Sequence, residues 1–258
     1  MNVLVACEFS GIVREAFRKR GHNAWSCDLL PCNGDPQYHI QEDIIRLLMM
    51  DVLPWDLMIA HPPCTYLCSS GLHWNKRVPG RAEKTEEALG FIKLLLNAYW
   101  IPRIALENPI GCISTRIRKY DQKIQPWQFG HNASKGTCLW LKNLSPLNPT
   151  NIIPPNGWSE VVYAHNLPLC NDCQEELWCK KHGKHYWECD CIGPTQDGAI
   201  YKTIDGYDFA TLQENPGKPT WDNQTPSGQN KLGPSVDRWA ERSITYQGIA
   251  DAMAEQWG

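Results

Sequence analysis

"NVLVACEFSGIVREAFRKRG", residues 2–21, sets a short apolar run against a turn and then a helical pattern. "NVLVAC" reads as a buried strand, because a valine-rich run this short is closed by the turn-like "EFSG". The spacing predicts a helix in "IVREAFRKRG", with Ile12, Val13, Ala16 and Phe17 on one face and Gly21 just past the end. "NAWSCDLL" follows as a second strand and "WDLMIAHPPC" as a later one. Strand, helix and strand with short connections imply a parallel sheet with right-handed crossovers.

The alternation continues. Residues 82–100 predict a long helix with Leu89, Ile92, Leu95, Leu96 and Tyr99 on its apolar side and acidic residues near its start. "RIALENP" reads as the next strand and "TCLWLKNL" as a still later one. The expected fold class is α/β, a doubly wound (Rossmann-like) core whose ligands sit at the carboxyl ends of the strands. "CEFSG", "CDLLP", "HPPC" and "ENP" all fall at such ends. From about residue 145 the composition turns rich in proline and asparagine, and residues 192–235 lack sustained periodicity. Three parts are therefore expected: a core over 1–144, an irregular insertion over 145–235, and a C-terminal helix over 236–258. That last segment recovers helical spacing at Ile249, Met253 and Trp257, as a helix docking on the core would.

A chain of 258 residues with 42% hydrophobic content can bury a core of this size and carry a small second module. No apolar run approaches the roughly 20 residues that span a bilayer, and "MNVLVACEFSG" lacks the basic start of a signal peptide. These features lead to the expectation of a soluble, cytoplasmic protein, with no membrane association, no evident obligate protein partner, and a monomeric or small homo-oligomeric state. The net charge of −3 speaks against a protein that holds DNA mainly through its backbone, while leaving room for a local basic groove.

Of twelve cysteines, five lie within residues 170–191, which in a chain without an export signal points to metal rather than disulfides. "CNDCQEELWCKKHGKHYWECDC" offers Cys170 and Cys173 as a C-x-x-C pair, Cys179 and His182 as C-x-x-H, then His185, Cys189 and Cys191. Two such pairs can close one tetrahedral zinc; the set leaves open which four bind and whether there are two ions. A short irregular module gains from a zinc clip in place of a hydrophobic core. Lys180, Lys181, Lys184 and His185, interleaved with Trp178, Tyr186 and Trp187, would also suit phosphate contacts with base stacking, or form a solvated face.

The strand ends carry the chemistry. "EFSGIVREAF" has one glycine where a dinucleotide fingerprint has three, so Gly11 either begins a cofactor loop or simply permits the turn. Asp28, at the end of the second strand, is placed to accept hydrogen bonds from ribose hydroxyls. Asp43 either meets an adenine amino group or caps the following helix. Cys64 sits behind two prolines that hold the backbone extended, and it projects into the crevice shared with Gly11, Asp28 and Glu107. A thiolate beside a carboxyl suits one reaction in particular. Addition of sulfur to carbon 6 of cytosine makes carbon 5 nucleophilic, and an acid at ring nitrogen 3 promotes that addition. Glu107, closing "RIALENP", is placed for that role; a turn-capping carboxylate is the plainer alternative.

In order and placement, "FSG", Asp28, "PPC" and "ENP" resemble the DNA (cytosine-5)-methyltransferases, which use S-adenosylmethionine. Across essentially all 258 residues the chain is similar to the compact cytosine methyltransferases of bacteriophages and prophages, through "KGTCLWLKNL", "GPTQD", "NQTPSGQNKLGPS" and "RSITYQGIADAMAEQWG". The resemblance implies a methyltransferase core acting on DNA in a bacterial host, with Cys64 as the nucleophile and Glu107 as the carboxyl at nitrogen 3. It implies that Phe9, Ser10 and Gly11 line the methionine end of the cofactor, Asp28 holds its ribose, and Asp43 with Ile44 brackets its adenine. Pro63, Asn108 and Lys135 would then contact the base, swung out of a duplex or offered from a single strand. The sequence departs from the family's pattern at Val13, where a second glycine is usual, and at Thr65, where glutamine is usual. The arginine-rich strand that supports the catalytic pocket in the family is not visible, and Lys135 stands near its place. An amino-group methyltransferase would want an acid, asparagine or serine at His61 and an aromatic residue at Cys64. A non-catalytic DNA-binding protein that kept the fold would have no need of Cys64 and Glu107.

Overall fold

The computed structural model describes residues 1–50, 53–160, 178–179, 184–185, 200–233, 235 and 238–258. The chain divides into two compact units, the first made of Met1–His131, Lys135–Asn151 and Gly233–Gly258, the second of Asn132–Ser134 and Ile152–Leu232.

The first unit is a mixed α/β structure on a largely parallel sheet. In chain order it contains β1 (Asn2–Ala6), α1 (Ile12–Lys19), β2 (Asn23–Asp28), β3 (His39–Gln41), α2 (Ile44–Met49), β4 (Leu57–Ala60), α3 (Ser69–Leu72), α4 (Arg81–Leu96), β5 (Arg103–Pro109), α5 (Ile113–Arg116), β6 (Gln122–Ile124), β7 (Thr137–Lys142), α6 (Arg238–Ser243) and α7 (Gln247–Gln256). The sheet runs β3-β2-β1-β4-β5-β7-β6. Parallel pairing joins β3, β2, β1, β4 and β5, whereas β7 runs antiparallel to both β5 and β6. The chain winds outward from β1 to β3 on one side and from β4 to β5 on the other, so the order reverses between β1 and β4. A ligand crevice forms at such a reversal, beyond the carboxyl ends of the strands.

Central parallel strands are covered on both faces, which is why "NVLVA" and "LMIA" are apolar throughout. Alternate side chains divide between the two faces. Leu4, Ala6, Met58, Ala60, Ile104 and Leu106 pack with Leu89, Ile92 and Leu95 of α4. Val3, Val5, Leu57, Ile59 and Ala105 pack with Val13 and Phe17 of α1 and with Ile249 and Met253 of α7. Trp257, just past α7, belongs to the same cluster.

Four features differ from the sequence expectation. The fourth helix stops at Leu96 rather than continuing to residue 100, so Tyr99 lies beyond it and is 83% exposed. The strand in "TCLWLKNL" enters antiparallel, because it returns beside β5 without a crossover helix. The short β3 and β6 carry no period of their own and exist through pairing with β2 and β7. Within the insertion, expected to be irregular, the second unit contains an antiparallel sheet.

That second unit has β8 (Ser159–Glu160), β9 (Trp178–Cys179), β10 (Lys184–His185), β11 (Ile200–Ile204) and β12 (Tyr207–Thr211). The last two form a hairpin, turned at Asp205 and Gly206 with positive φ at both, and β8 pairs on the far side of β12. An Asp-Gly pair between alternating flanks is the sequence signal for such a turn. Trp158, Phe209 and Trp221 are buried in this unit, and the Trp221 indole donates to the Ile153 carbonyl at 3.1 Å. The ribbon of β9 and β10 sets Lys184 opposite Cys179.

Phe17 is fully buried between the sheet and α7. Phe17→Ala is expected to lower stability by ~3–5 kcal/mol, read as a lower urea midpoint with an unchanged slope.

Candidate active site

The turn after β1 places the first candidate residues. Gly11 has φ +74°, which strains any side chain there, and a Cβ would lie 2.7 Å from the Arg14 guanidinium, which would have to shift. No side chain of Gly11 can cap α1; the buried Glu8 carboxylate does so, accepting from Val13 N at 2.7 Å and Arg14 N at 3.3 Å. The Ser10 hydroxyl donates to the same carboxylate at 3.2 Å, and the Phe9 carbonyl accepts from Asn33 N. Burial pushes the Glu8 carboxyl above its ordinary value, opposed by the charge of His61 and by these hydrogen bonds.

A cavity of about 450 Å³ opens at the ends of β1, β2 and β4. Asp28, Asp43, Ile44 and Pro63 line it, together with Cys7, Cys27, Leu29, Tyr66, Lys84, Ala88 and Phe91. Asp28 accepts from Leu30 N at 2.9 Å and Asp43 from Ile45 N at 2.8 Å, each through Oδ1. Asp43 is thus the N-cap of α2 and a wall of the cavity at once. Acidic acceptors beside an apolar wall of Ile44, Ala88 and Phe91 fit a flat heterocycle bearing a hydroxylated sugar, and the volume suits a ligand of that size. Phe9, Ser10 and Gly11 are not among the residues that line this cavity.

Cys64 and Glu107 belong to neighbouring strand ends. Two prolines carry the chain out of β4, and the Cys64 carbonyl then accepts from Leu67 N at 2.9 Å and Cys68 N at 3.0 Å, so the cysteine starts a helical turn. Asn108 braces this turn by donating from Nδ2 to the Pro62 carbonyl at 2.8 Å. Its side chain points to the face of the sheet opposite Glu107, because successive residues of a strand alternate. Glu107 Oε2 lies 3.0 Å from His61 Nδ1. Lys135 lines a small pocket with Glu107, Thr137, Tyr246 and Ile249, and its Nζ donates to the Arg242 carbonyl at 2.7 Å.

The Cys64 thiol and the Glu107 carboxyl are shifted in opposite directions. The Cys64 thiol is held well above its ordinary value, first by its hydrogen bond with Cys68, then by burial and the Glu107 charge; Lys135 opposes. Cys68 is held down by the same hydrogen bond. Burial pushes the Glu107 carboxyl up, but the His61 hydrogen bond and charge, Lys135 and the Thr137 hydroxyl outweigh it and leave it below the usual carboxylate range. At rest the proton therefore sits on sulfur and the charge on oxygen.

Several residues here escaped the sequence reading. Lys84, Glu87 and Phe91 of α4, Tyr66 of the turn after β4, and Glu42 complete the cavity. His61 follows Leu57 and Ile59 by the period of two, just as Glu107 follows Ala105, and Ala60 pairs with Leu106, so strand register already sets His61 beside Glu107. The zinc residues stand differently. Cys170, Cys173, His182, Cys189 and Cys191 lie outside the described residues, and only the backbones of Cys179 and His185 are described. Among the described residues no group of three or more His, Cys, Asp or Glu side chains is arranged to hold a metal, and no helix is long and apolar enough to cross a membrane.

Cys68→Ala removes the largest influence holding the Cys64 thiol up, so the pH midpoint for alkylation of Cys64 is expected to fall. Peptide mass spectrometry after timed iodoacetamide labelling across a pH series checks this.

No protein-family model matches the chain, and no curated protein matches it. Among solved structures it is similar to one described as a candidate DNA modification methyltransferase encoded within a prophage of E. coli. The identity is 17% and the TM-score 0.40, and the match covers 69% of this chain and 57% of that one.

Proposed function

We propose that the protein transfers a methyl group from S-adenosylmethionine to carbon 5 of cytosine in DNA through a transient bond between Cys64 and carbon 6. The observation that carries this reading is the placement of a thiol and a partly buried carboxyl at adjacent strand ends, next to a cavity with acidic and apolar walls. Asp28 would receive the ribose hydroxyls, Asp43 the adenine amino group, and Ile44 with Phe91 the faces of the adenine ring. Bound there, the cofactor would supply an electrophilic methyl group.

The chain's own residues account for the rest. Addition needs a thiolate at Cys64 and a proton at ring nitrogen 3, the reverse of the resting arrangement. The proton leaves sulfur as the thiol gives up its hydrogen bond with Cys68; Glu107, whose charge reaches Cys64, would take it and pass it to nitrogen 3 as the sulfur–carbon bond forms. The electron pair displaced from the carbon 5–carbon 6 double bond makes carbon 5 nucleophilic. After methylation, loss of the carbon 5 proton to water re-forms the double bond and expels the thiolate. Because the unliganded site holds both groups in their unreactive states, addition waits for the base.

Lys135, close enough to Glu107 to affect its charge, stands where a second positive group would steady the base, with Pro63 shaping the approach of the thiol. Exposed Trp74 has the Arg77 guanidinium 5.6 Å from its ring centroid, and Arg81 and Lys84 lie over Tyr66, so cationic and aromatic groups flank the turn that bears Cys64. This supports approach of a nucleic acid from that side. In the insertion, the donor set Cys170, Cys173, Cys179, His182, His185, Cys189 and Cys191 suits zinc, which would clip a segment that contacts DNA.

Nucleoside mass spectrometry of DNA from cells expressing the protein is expected to show 5-methyldeoxycytidine. Cys64→Ala should abolish both this product and the covalent complex with 5-fluorocytosine DNA, while changing S-adenosylhomocysteine affinity by less than about threefold. A methyl group on an exocyclic nitrogen, or product from the Cys64→Ala protein, would overturn the reading.

A further inference from the structure

We infer that His61 is a positioning residue for Glu107: its Nδ1–H holds Oε2 and fixes the plane of the carboxyl, so that Oε1 is the oxygen left to face the base. This deepens the carbon 5 reading and rests on it.

The geometry is specific. His61 Nδ1 and Glu107 Oε2 are 3.0 Å apart, with side-chain exposures of 7% and 16%. An ionised carboxylate only accepts, so Nδ1 is the protonated nitrogen. Nε2 is buried without a hydrogen-bond partner. A buried donor lacking an acceptor is rarer than an under-satisfied acceptor, which again puts the proton on Nδ1. The ring lies between two acids on the same side of the sheet, Glu107 ahead of it and Glu8 close enough for its charge to be felt. Glu8 is engaged by Val13, Arg14 and Ser10, which leaves Glu107 as the carboxyl that His61 holds. Lys135, Cys64 and Cys138 are the other titratable groups coupled to Glu107 by charge.

Atoms balance through this pair without His61 gaining or losing a proton. The Cys64 proton passes to Glu107 Oε1 and on to nitrogen 3 as sulfur bonds to carbon 6, so Glu107 begins and ends the step as the carboxylate, with a charge-assisted bond from Nδ1–H in both states. On elimination the nitrogen 3 proton returns by the same oxygen. His61 therefore acts through orientation, by keeping Oε1 in line between sulfur and nitrogen 3.

The test uses the full chain and 5-fluorocytosine DNA. His61→Ala is expected to slow adduct formation by roughly 10- to 100-fold, the scale of one hydrogen bond to a charged group, with the DNA concentration for half-maximal rate little changed. His61→Asn, which keeps a donor near Nδ1 but cannot titrate, should recover most of that rate. Glu107→Gln identifies the limb of the pH–rate profile that belongs to Glu107. That limb should move to higher pH in His61→Ala, because an influence that holds the carboxyl down has gone. An unmoved limb with an equal loss of folding stability would make His61 a merely structural residue and overturn the inference. A second readout needs no turnover: ¹⁵N-histidine NMR should find the proton of the neutral His61 ring on Nδ1 in the wild-type protein, with the Nε2–H form gaining population in Glu107→Ala. If the wild-type protein forms no adduct, the carbon 5 reading fails by itself, and the tautomer still decides the pair: a ring protonated on Nδ1 supports it and one protonated on Nε2 overturns it.

Discussion

Parallel pairing of β4 with β5, with Ala60 opposite Leu106, is the constraint on which the site depends. In parallel strands both carboxyl ends leave the sheet on one edge, so groups distant in sequence arrive together without any loop having to find its place. His61, Cys64 and Glu107 share that edge, and β1 adds Glu8 from the other side of β4. Burial of the strands on both faces keeps the register from slipping, since a one-residue shift would reverse every side chain. The chemistry inherits its precision from the core.

The electrostatics follow from the same placement. Burial pushes each acid at this edge up. Glu8 remains raised, since His61 and its hydrogen bonds do not outweigh that push; Glu107, partly exposed, is lowered, since His61, Lys135 and Thr137 do. Two carboxyls a strand apart are thereby given different protonation tendencies by their neighbours alone. Cys64 shows the same logic in a thiol, which shares a hydrogen bond with Cys68 one helical turn away, so that the two sulfurs titrate as a pair.

Much of this was legible in the sequence. Apolar runs, short turns and the positions of Asp28, Cys64 and Glu107 at strand ends led to the doubly wound core and to the crevice. The period of two carried more than was read from it, because Leu57, Ile59 and His61 extend one face of β4 as Ala105 and Glu107 extend one face of β5. Other features had no local signal. The direction of β7 depends on which strand it meets, and β3 and β6 are too short to show a period. The cavity wall from α4 comes from the boundary between its buried and exposed faces, where Lys84 and Phe91 look like ordinary surface and core residues. Asp205–Gly206 was legible as a hairpin turn, obscured by the polar composition around it.

The first unit is assembled from stretches on both sides of residues 152–232, with α7 covering the face of the sheet that Val3, Val5 and Ile59 would otherwise leave open. For that unit the intervening residues act as one closed loop, whose entropic cost grows only with the logarithm of its length, about 0.6 kcal/mol for each doubling. Insertions and deletions in that stretch therefore weigh little on the stability of the core. The content of that stretch can thus change in length and composition while the strand ends of the first unit stay in place.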